Sequence, residues 1–193
     1  MKDFPKVEIT SRQQWRDWLM VSHTRTESIW LVTYKKAAGD RYLSYDDIVE
    51  EALCFGWVDS LPRALDAERT MLLLSPRKPK SAWSKLNKER VAKMLAAGLM
   101  HPAGMERIEQ AKQDGVWGFL DDVEALIVPD DLQAALDSYP HAAENFEGFP
   151  RSTKRGILEW IKMAKRAATR AKRIAETARL AEENIRANQP NRK

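Results

Sequence analysis

Cysteine is almost absent from the sequence: Cys54 is the only one among 193 residues. A single cysteine forms no intramolecular disulfide and builds no cysteine-based zinc cluster. Such scarcity is typical of proteins in a reducing compartment, so it predicts a cytoplasmic location. Long apolar runs are also missing, because no stretch approaches the roughly 18 residues of a membrane span. The N-terminus lacks the apolar core of a secretory signal, so we expect neither a transmembrane segment nor export.

The short motifs of common enzyme classes are missing as well. The sequence contains no GxGxxG, P-loop, HExxH or GxSxG pattern. Its three histidines, His23, His101 and His141, have no carboxylate partner at a useful spacing. Acidic pairs such as Asp46-Asp47 stand at expected helix starts, where the helix dipole explains them without a metal. No residue set therefore specifies a reaction, and we predict no catalytic residue, no metal and no cofactor.

Charge is spread unevenly along the chain. Residues 150–193 contain 13 Lys and Arg against 4 Asp and Glu, whereas residues 1–149 contain 19 basic and 24 acidic residues. An acidic body followed by a basic tail indicates either that the tail docks on the body or that it meets an anionic partner.

Hydrophobic periodicity predicts an α+β fold. Segments 28–35, 57–65 and 69–75 are rich in strand-forming residues, and Pro62 places the second of them at a sheet edge or a bulge. Helices are expected after Ser11 and Ser44, at 84–97 and at 102–114. The N-terminal half should therefore hold a small three-stranded sheet with helices.

The C-terminal half is predicted to be all-helical and to end in a long basic helix. Apolar residues, mostly alanine, recur from Ile157 to Ile185 at helical spacing, which corresponds to about eight turns. The domains expected are an α+β domain at 1–118, a helical region at 119–187 and a disordered tail at 188–193.

The segment from Ala52 to Ser60 is the first candidate site, because it brings a thiol, a carboxylate and a hydroxyl together. A helix C-terminus disfavours a thiolate, so an inert, buried Cys54 is the preferred interpretation. Asp59 is costly to bury alone, and we expect it to pair with a cation or to contact a ligand. An enzyme using the Cys54–Asp59 region remains an alternative.

A basic segment with an aromatic residue, from Ser75 to Lys88, is the second candidate. It precedes a helix and places Trp83 beside several cations, a combination that suits phosphate or nucleic-acid binding. A solvated loop that only caps the helix is the alternative reading. The predicted ligand-binding residues are Lys35, Asp59, Ser60, Arg77, Lys78, Trp83 and Asn87.

The basic tail is the third candidate. Five of its cations follow helical spacing and would form one charged stripe opposite the alanine face, suited to a phosphate backbone. These are Lys162, Lys165, Arg166, Arg170 and Arg173. Nucleic-acid binding is therefore a second alternative function, while a solvated surface helix explains the same pattern.

Several runs resemble the YdeI/OmpD-associated family, also called bacteriocin-protection proteins. They are Trp30-Leu31 with Lys35-Lys36, Leu43-Ser44-Tyr45, Ala52 to Ser60, Ser75 to Pro79, Trp83 to Asn87, Gly98 to Met100, and in the tail Trp160-Ile161, Ala164 to Arg166 and Thr169 to Ile174. The resemblance spans roughly residues 10–187, and Leu53 to Ser60 is its most specific part. It implies a role in tolerance of bacteriocins and antimicrobial peptides, with no established active site to carry over.

Together these patterns predict a non-catalytic bacterial protein of the bacteriocin-protection or stress-tolerance type. It should bind a small anionic ligand or a protein partner. A cationic peptide would be repelled by the basic segment near Trp83, because the charges have the same sign.

Overall fold

The computed structural model describes residues 4–189, and the chain divides into two compact units between Phe119 and Leu120. The first unit alternates strands and helices. Its elements are β1 (Lys6–Glu8), α1 (Arg12–Ser22), β2 (Ile29–Tyr34), a 3-10 segment (Lys36–Arg41), α2 (Tyr45–Cys54), β3 (Trp57–Ala64), β4 (Arg69–Pro76), α3 (Lys85–Ala96) and α4 (Pro102–Gln113).

The sheet has the order β1-β2-β4-β3, so the prediction of three strands was wrong by one. The missed strand, β1, pairs in parallel with β2 over three residues only, too few to show an alternating pattern. The other pairings are antiparallel. Pro62 lies in edge strand β3 beside an irregularity in register, as expected for a residue without an N–H.

Serine side chains begin three of the helices, as the sequence predicts. Ser11 accepts a hydrogen bond from the backbone N–H of Gln14, and Ser44 accepts one from Asp47. Ser84 does the same for the backbone N–H of Asn87 at the start of α3. Each bond satisfies an N–H that has no partner inside the helix, which fixes the helix start.

The core of the first unit forms where α1 and α2 cover one face of the sheet. Trp15 of α1 and Ile48 of α2 are buried against Leu31 and Leu74. A second cluster joins α2 to α3 and α4, with Trp83 at its centre. These two clusters hold the end of α2 close to the start of α4, and that junction positions the site.

Two buried carboxylates in α2 rely on cations from α1 and α3. Glu50 and Glu51 are 3% and 2% exposed. Arg12 Nε lies 2.7 Å from Glu51 Oε1, and Lys93 Nζ lies 2.6 Å from Glu50 Oε1. Because an unpaired buried charge is costly, these pairs fix how α1 and α3 dock on α2.

The second unit is entirely helical within the described residues. Its elements are α5 (Asp121–Glu124), α6 (Asp130–Asp137), α7 (Ala142–Glu147), α8 (Arg151–Lys162) and α9 (Ala167–Glu182). Buried Leu132, Phe146, Ile161, Ile174 and Ala178 form its interior.

The prediction of a single long C-terminal helix was wrong, because α8 and α9 are separate helices. The chain leaves helical geometry before α9, where Arg166 is extended. The break lets α9 contact α6, α7 and α8. A continuous helix would have presented a mostly alanine face, which buries little area per turn, so folding back is favourable.

Two further sequence predictions concern the chain ends and membranes. The predicted disordered tail at 188–193 falls mostly outside the described residues, which end at 189. Between residues 4 and 189 no helix is long and apolar enough to cross a membrane.

Candidate functional site

A cleft of about 500 Å³ lies in the first unit. Three parts of the chain meet there: the loop that follows α1, the end of β4 and the start of α4. The lining side chains that carry the argument are His23, Arg25, Ser75, Arg77, Lys78 and Arg107. A volume of this size is typical of small-ligand pockets.

The floor of the cleft is set by backbone pairing at the α2–β3 turn. Arg77 follows the last residue of β4, and its backbone N–H donates to the carbonyl of Gly56 at 2.9 Å. Gly56 has φ of +76°, and a Cβ there would lie 2.9 Å from Arg107 Cγ. Glycine therefore permits both the turn and the close approach of α4.

Helix α4 is held at the cleft by a second close contact. A Cβ on Gly104 would lie 2.2 Å from the carbonyl oxygen of Cys54, which no real side chain could occupy. The same oxygen accepts the backbone N–H of His101 at 3.1 Å. Glycine at 104 therefore brings the first turn of α4, and Arg107 with it, to the cleft.

The loop after α1 is fixed to the sheet by side-chain hydrogen bonds. Trp57 Nε1 donates to the carbonyl of His23 at 3.0 Å. The hydroxyls of Ser28 and Ser75 are 2.7 Å apart and hydrogen-bond to each other. These contacts hold the loop that carries Arg25 at the cleft.

Arg77 is the most unusual side chain of the cleft. It is only 5% exposed, and its guanidinium carbon lies 3.6 Å from the centroid of the Trp83 ring. One nitrogen, Nη2, donates to the carbonyl of Ala82. Nε and Nη1 are buried and have no hydrogen-bond partner among the described residues. Such orphaned charged donors are costly, and they mark a place where an acceptor is missing.

Burial also affects the ionisation of Arg77. Removal from water lowers the pKa of its guanidinium to about 10, and the charge of Asp59 opposes that shift. The group is therefore still protonated near neutral pH. A buried, charged, planar donor set of this kind matches the oxygens of a carboxylate or a phosphate.

Three more cations border the cleft, and one carboxylate accompanies them. Arg25, Lys78 and Arg107 line it together with Glu106. None of the three cations makes an ion pair within residues 4–189. These three charges are therefore not offset by an ion pair among the described residues, and they would attract an anion to the cleft.

Aromatic rings stack behind the cleft. His23 lies 4.7 Å from His101, and His101 lies 4.8 Å from Phe55, measured between ring centroids. Burial lowers the pKa of His101, and the charges of His23 and Arg16 lower it further. Phe55 is the apolar ring among those that line the cleft, and His101 packs against it.

The structure brings together only part of the predicted ligand set. Arg77 and Lys78 line the cleft, and buried Trp83 lies against the Arg77 guanidinium. Lys35 lies at the opposite end of β4, where its Nζ donates to the carbonyls of Asp66 and Ala67 at 2.8 and 3.0 Å.

The other three predicted ligand residues bond to neighbours outside the cleft. Asp59 accepts the hydroxyl of Tyr45 at 2.5 Å, with no cation within ion-pair distance among the described residues. Ser60 donates to the carbonyl of Leu73 at 3.3 Å. Asn87 accepts from Arg90 at 3.0 Å.

The thiol of Cys54 is fully buried, with 0% exposure. Burial raises its pKa to about 11, and the nearby charge of Glu51 adds to the shift. A thiol with a raised pKa holds little thiolate at neutral pH, so it is a poor nucleophile.

The predicted basic stripe is not formed, because its residues fall on two helices and the segment between them. Lys162 Nζ lies 2.5 Å from Asp122, and Arg170 Nε lies 2.7 Å from Asp131. Arg173 donates to the carbonyl of Trp160 and lies over its ring. Lys165 and Arg166 are exposed in the break. Three of the five cations therefore bind acceptors inside the second unit.

Sequence reasoning missed the loop and α4 residues of the cleft. Arg25 and Arg107 are distant from Arg77 along the chain, and no spacing links them. The usable signal was indirect: Gly56 and Gly104 are glycines whose added Cβ would clash with other elements. Glycines of this kind indicate close approach of backbone segments.

The fold and the cleft together define the class: an α+β protein with a cleft bordered by several cations in its N-terminal unit and a helical C-terminal unit. Residues 7–107 match the family described as Domain of unknown function (DUF8412). That match covers more than half of the chain, so the protein belongs to this family. Residues 125–184 match the family described as Bacteriocin-protection, YdeI or OmpD-Associated.

The second match confirms the resemblance to the YdeI/OmpD-associated family, but it covers residues 125–184 and not the expected range of roughly 10–187. The run from Leu53 to Ser60, expected to be its most specific part, lies in the stretch that matches the other family. Neither the comparison with curated proteins nor that with solved structures gives a match.

Proposed function

We propose that the N-terminal unit binds a small anionic ligand in the Arg77 cleft and that the protein acts in bacteriocin protection through this binding, without catalysis. The observation that carries the proposal is Arg77 itself: this residue lines the cleft, and two of its buried guanidinium nitrogens lack acceptors. An anion in the cleft would supply those acceptors once the Arg77 side chain turned toward it, because both nitrogens are closed to water in the ligand-free protein.

The charge around Arg77 supports an anion over a cationic peptide as the occupant. Arg25, Lys78 and Arg107 would repel a cationic bacteriocin segment and attract an anion. A protective role by direct capture of a cationic peptide at this cleft is therefore disfavoured. The cytoplasm, which the single cysteine favours, is the compartment we propose for this binding.

Isothermal titration of the full chain with acetate, citrate, sulfate, phosphate, benzoate and phenyl phosphate tests the proposal. At least one of these anions should bind, and Arg77→Met should weaken that binding by roughly 10- to 100-fold, because charge-assisted hydrogen bonds contribute about 1.5–3 kcal/mol. Arg179→Met is the matched control, since Arg179 is exposed and its one ion pair within residues 4–189 is with Glu183. Absence of binding to all six anions contradicts the proposal, as does an Arg77→Met protein that binds like the wild type.

The link to protection is tested in cells that depend on the protein for survival of a bacteriocin challenge. Expression of the wild-type chain and of Arg179→Met should protect equally, and Arg77→Met should not. Equal protection by all three proteins would show that the cleft is not used in that role.

A further inference from the structure

The cleft holds more positive charge than a monocarboxylate needs. Arg25, Arg77 and Arg107 come from three separate parts of the chain, and Lys78 adds a fourth cation, against the single carboxylate of Glu106. One negative charge would leave most of this field unbalanced. A ligand with two negative charges on one group complements it better.

Hydroxyl donors accompany these cations. Thr24, Thr26, Ser28 and Ser75 line the same cleft. Ser28 and Ser75 share one hydrogen bond of 2.7 Å, so one of the two hydroxyls keeps its O–H free for another acceptor. A phosphate group offers three terminal oxygens to such donors, one more than a carboxylate does.

One wall of the cleft is apolar. Pro76, Pro79 and Ala103 line it beside Phe55. The volume of about 500 Å³ also exceeds what a free inorganic anion fills. Pockets of this size and mixed lining usually take ligands with an organic body.

We infer that the ligand is a small organic phosphate monoester. Its dianionic phosphate group would lie against the cleft residues Arg107 and Lys78. The guanidinium of Arg77, whose Nε and Nη1 lack acceptors and are closed to water in the ligand-free protein, would turn toward it. Its organic body would lie against Pro76 and Pro79. This inference rests on the proposed function and adds the chemical class of the ligand.

Four probes separate the contributions of charge and organic body. Phenyl phosphate, methyl phenyl phosphate, benzoate and inorganic phosphate are titrated into the full chain at pH 8, where a phosphomonoester is dianionic. Phenyl phosphate should bind at least about tenfold more tightly than each of the other three, a difference of about 1.4 kcal/mol. Arg107→Met should weaken the binding of phenyl phosphate by about tenfold and that of benzoate by less. Arg179→Met should change the affinity for neither probe.

Each other outcome contradicts a defined part of the inferred ligand chemistry. If benzoate or methyl phenyl phosphate binds as tightly as phenyl phosphate, the dianion requirement is wrong while small-anion binding stands. If inorganic phosphate binds as tightly as phenyl phosphate, the cleft does not recognise the organic body of the ligand. If none of the four probes binds while citrate or sulfate does, the phosphate class is wrong and the proposed function survives. If no anion binds, both fail together.

Discussion

The guanidinium of Arg77 stacks on the ring of Trp83, with 3.6 Å between the guanidinium carbon and the ring centroid. The ring centroid of Trp83 in turn lies 4.9 Å from that of Trp117. A ligand that hydrogen-bonds to Arg77 changes the charge environment of this indole directly. The pair therefore joins the proposed binding event to an intrinsic fluorescent group.

We expect anion binding to change the tryptophan emission of the full chain, and Trp83→Phe to remove at least half of the change. Trp160→Phe is the matched control, because Arg173 lies 4.9 Å from that ring centroid in the second unit. The measurement is a fluorescence titration with phenyl phosphate. An unchanged signal in Trp83→Phe would show that the anion does not reach Arg77.

The orphaned nitrogens of Arg77 lead to a second prediction, on stability without ligand. Removing a buried charge whose donors lack partners relieves a desolvation cost, and methionine fills much of the same volume. Arg77→Met should therefore leave the free energy of unfolding unchanged or raise it, while ligand binding is lost. Urea unfolding of the ligand-free full chain measures this.

Arg12→Met is the comparison variant for that experiment. It leaves Glu51, which is 2% exposed, with only Arg16 as its cation. Removing one partner of a buried pair is destabilising, and because Arg16 still pairs with Glu51 we expect a cost below the roughly 3 kcal/mol of a charge left wholly unpaired. If Arg77→Met is destabilised as strongly as Arg12→Met, Arg77 has a structural role, for example through a water in the void of about 10 Å³ that it borders.

Local sequence patterns were enough to predict the helix caps and three strands of the first unit. Ser11, Ser44 and Ser84 act within a few residues of themselves, so their effect can be read from the sequence. Strand β1 could not be found in this way, because three residues carry no usable alternation. Its existence depends on pairing with β2, which is a tertiary property.

The site was only partly predictable for the same reason. Arg77 and Lys78 were found because they stand in a basic run beside Trp83. Arg25 and Arg107 reach the cleft through Trp57, Gly56 and Gly104, and contacts of that kind leave no pattern in charge or spacing. The break between α8 and α9 was missed because the alanine periodicity continues through it.

Gly104 provides a third prediction, on the packing that positions the cleft. An alanine Cβ would stand 2.2 Å from the carbonyl oxygen of Cys54, so α4 must move away. Overpacking of this kind costs roughly 1–3 kcal/mol. Gly104→Ala should therefore lower the urea midpoint of the full chain and weaken anion binding.

The matched control is Gly156→Ala in α8. Its new Cβ meets nothing within 4 Å, and alanine favours a helix interior over glycine by about 0.5–1 kcal/mol. The Gly156→Ala protein should be slightly more stable than the wild type, and its affinity for anions should be unchanged. Equal behaviour of the two variants would show that the close contact at Gly104 does not hold the cleft.

The last prediction concerns acid and the second unit. Asp131 accepts two hydrogen bonds of 2.7 Å from Arg170, and they lower the pKa of its carboxyl below the ordinary 3.8. Since the folded state then binds fewer protons than the unfolded one between the two pKa values, the stabilisation is complete above about pH 4 and is lost as the pH falls through the lower, folded pKa.

Asp131→Asn should accordingly destabilise the second unit at pH 7, by less than about 1 kcal/mol because the pair is partly exposed. The difference from the wild type should shrink as the pH falls below 3.8 through the lower, folded pKa of Asp131. Hydrogen exchange of α6 and α9 amides in the full chain measures it. Asp130→Asn is the control, since Asp130 shares the first turn of α6 but makes no ion pair among the described residues. If both variants show the same pH dependence, the helix dipole and not Arg170 is responsible.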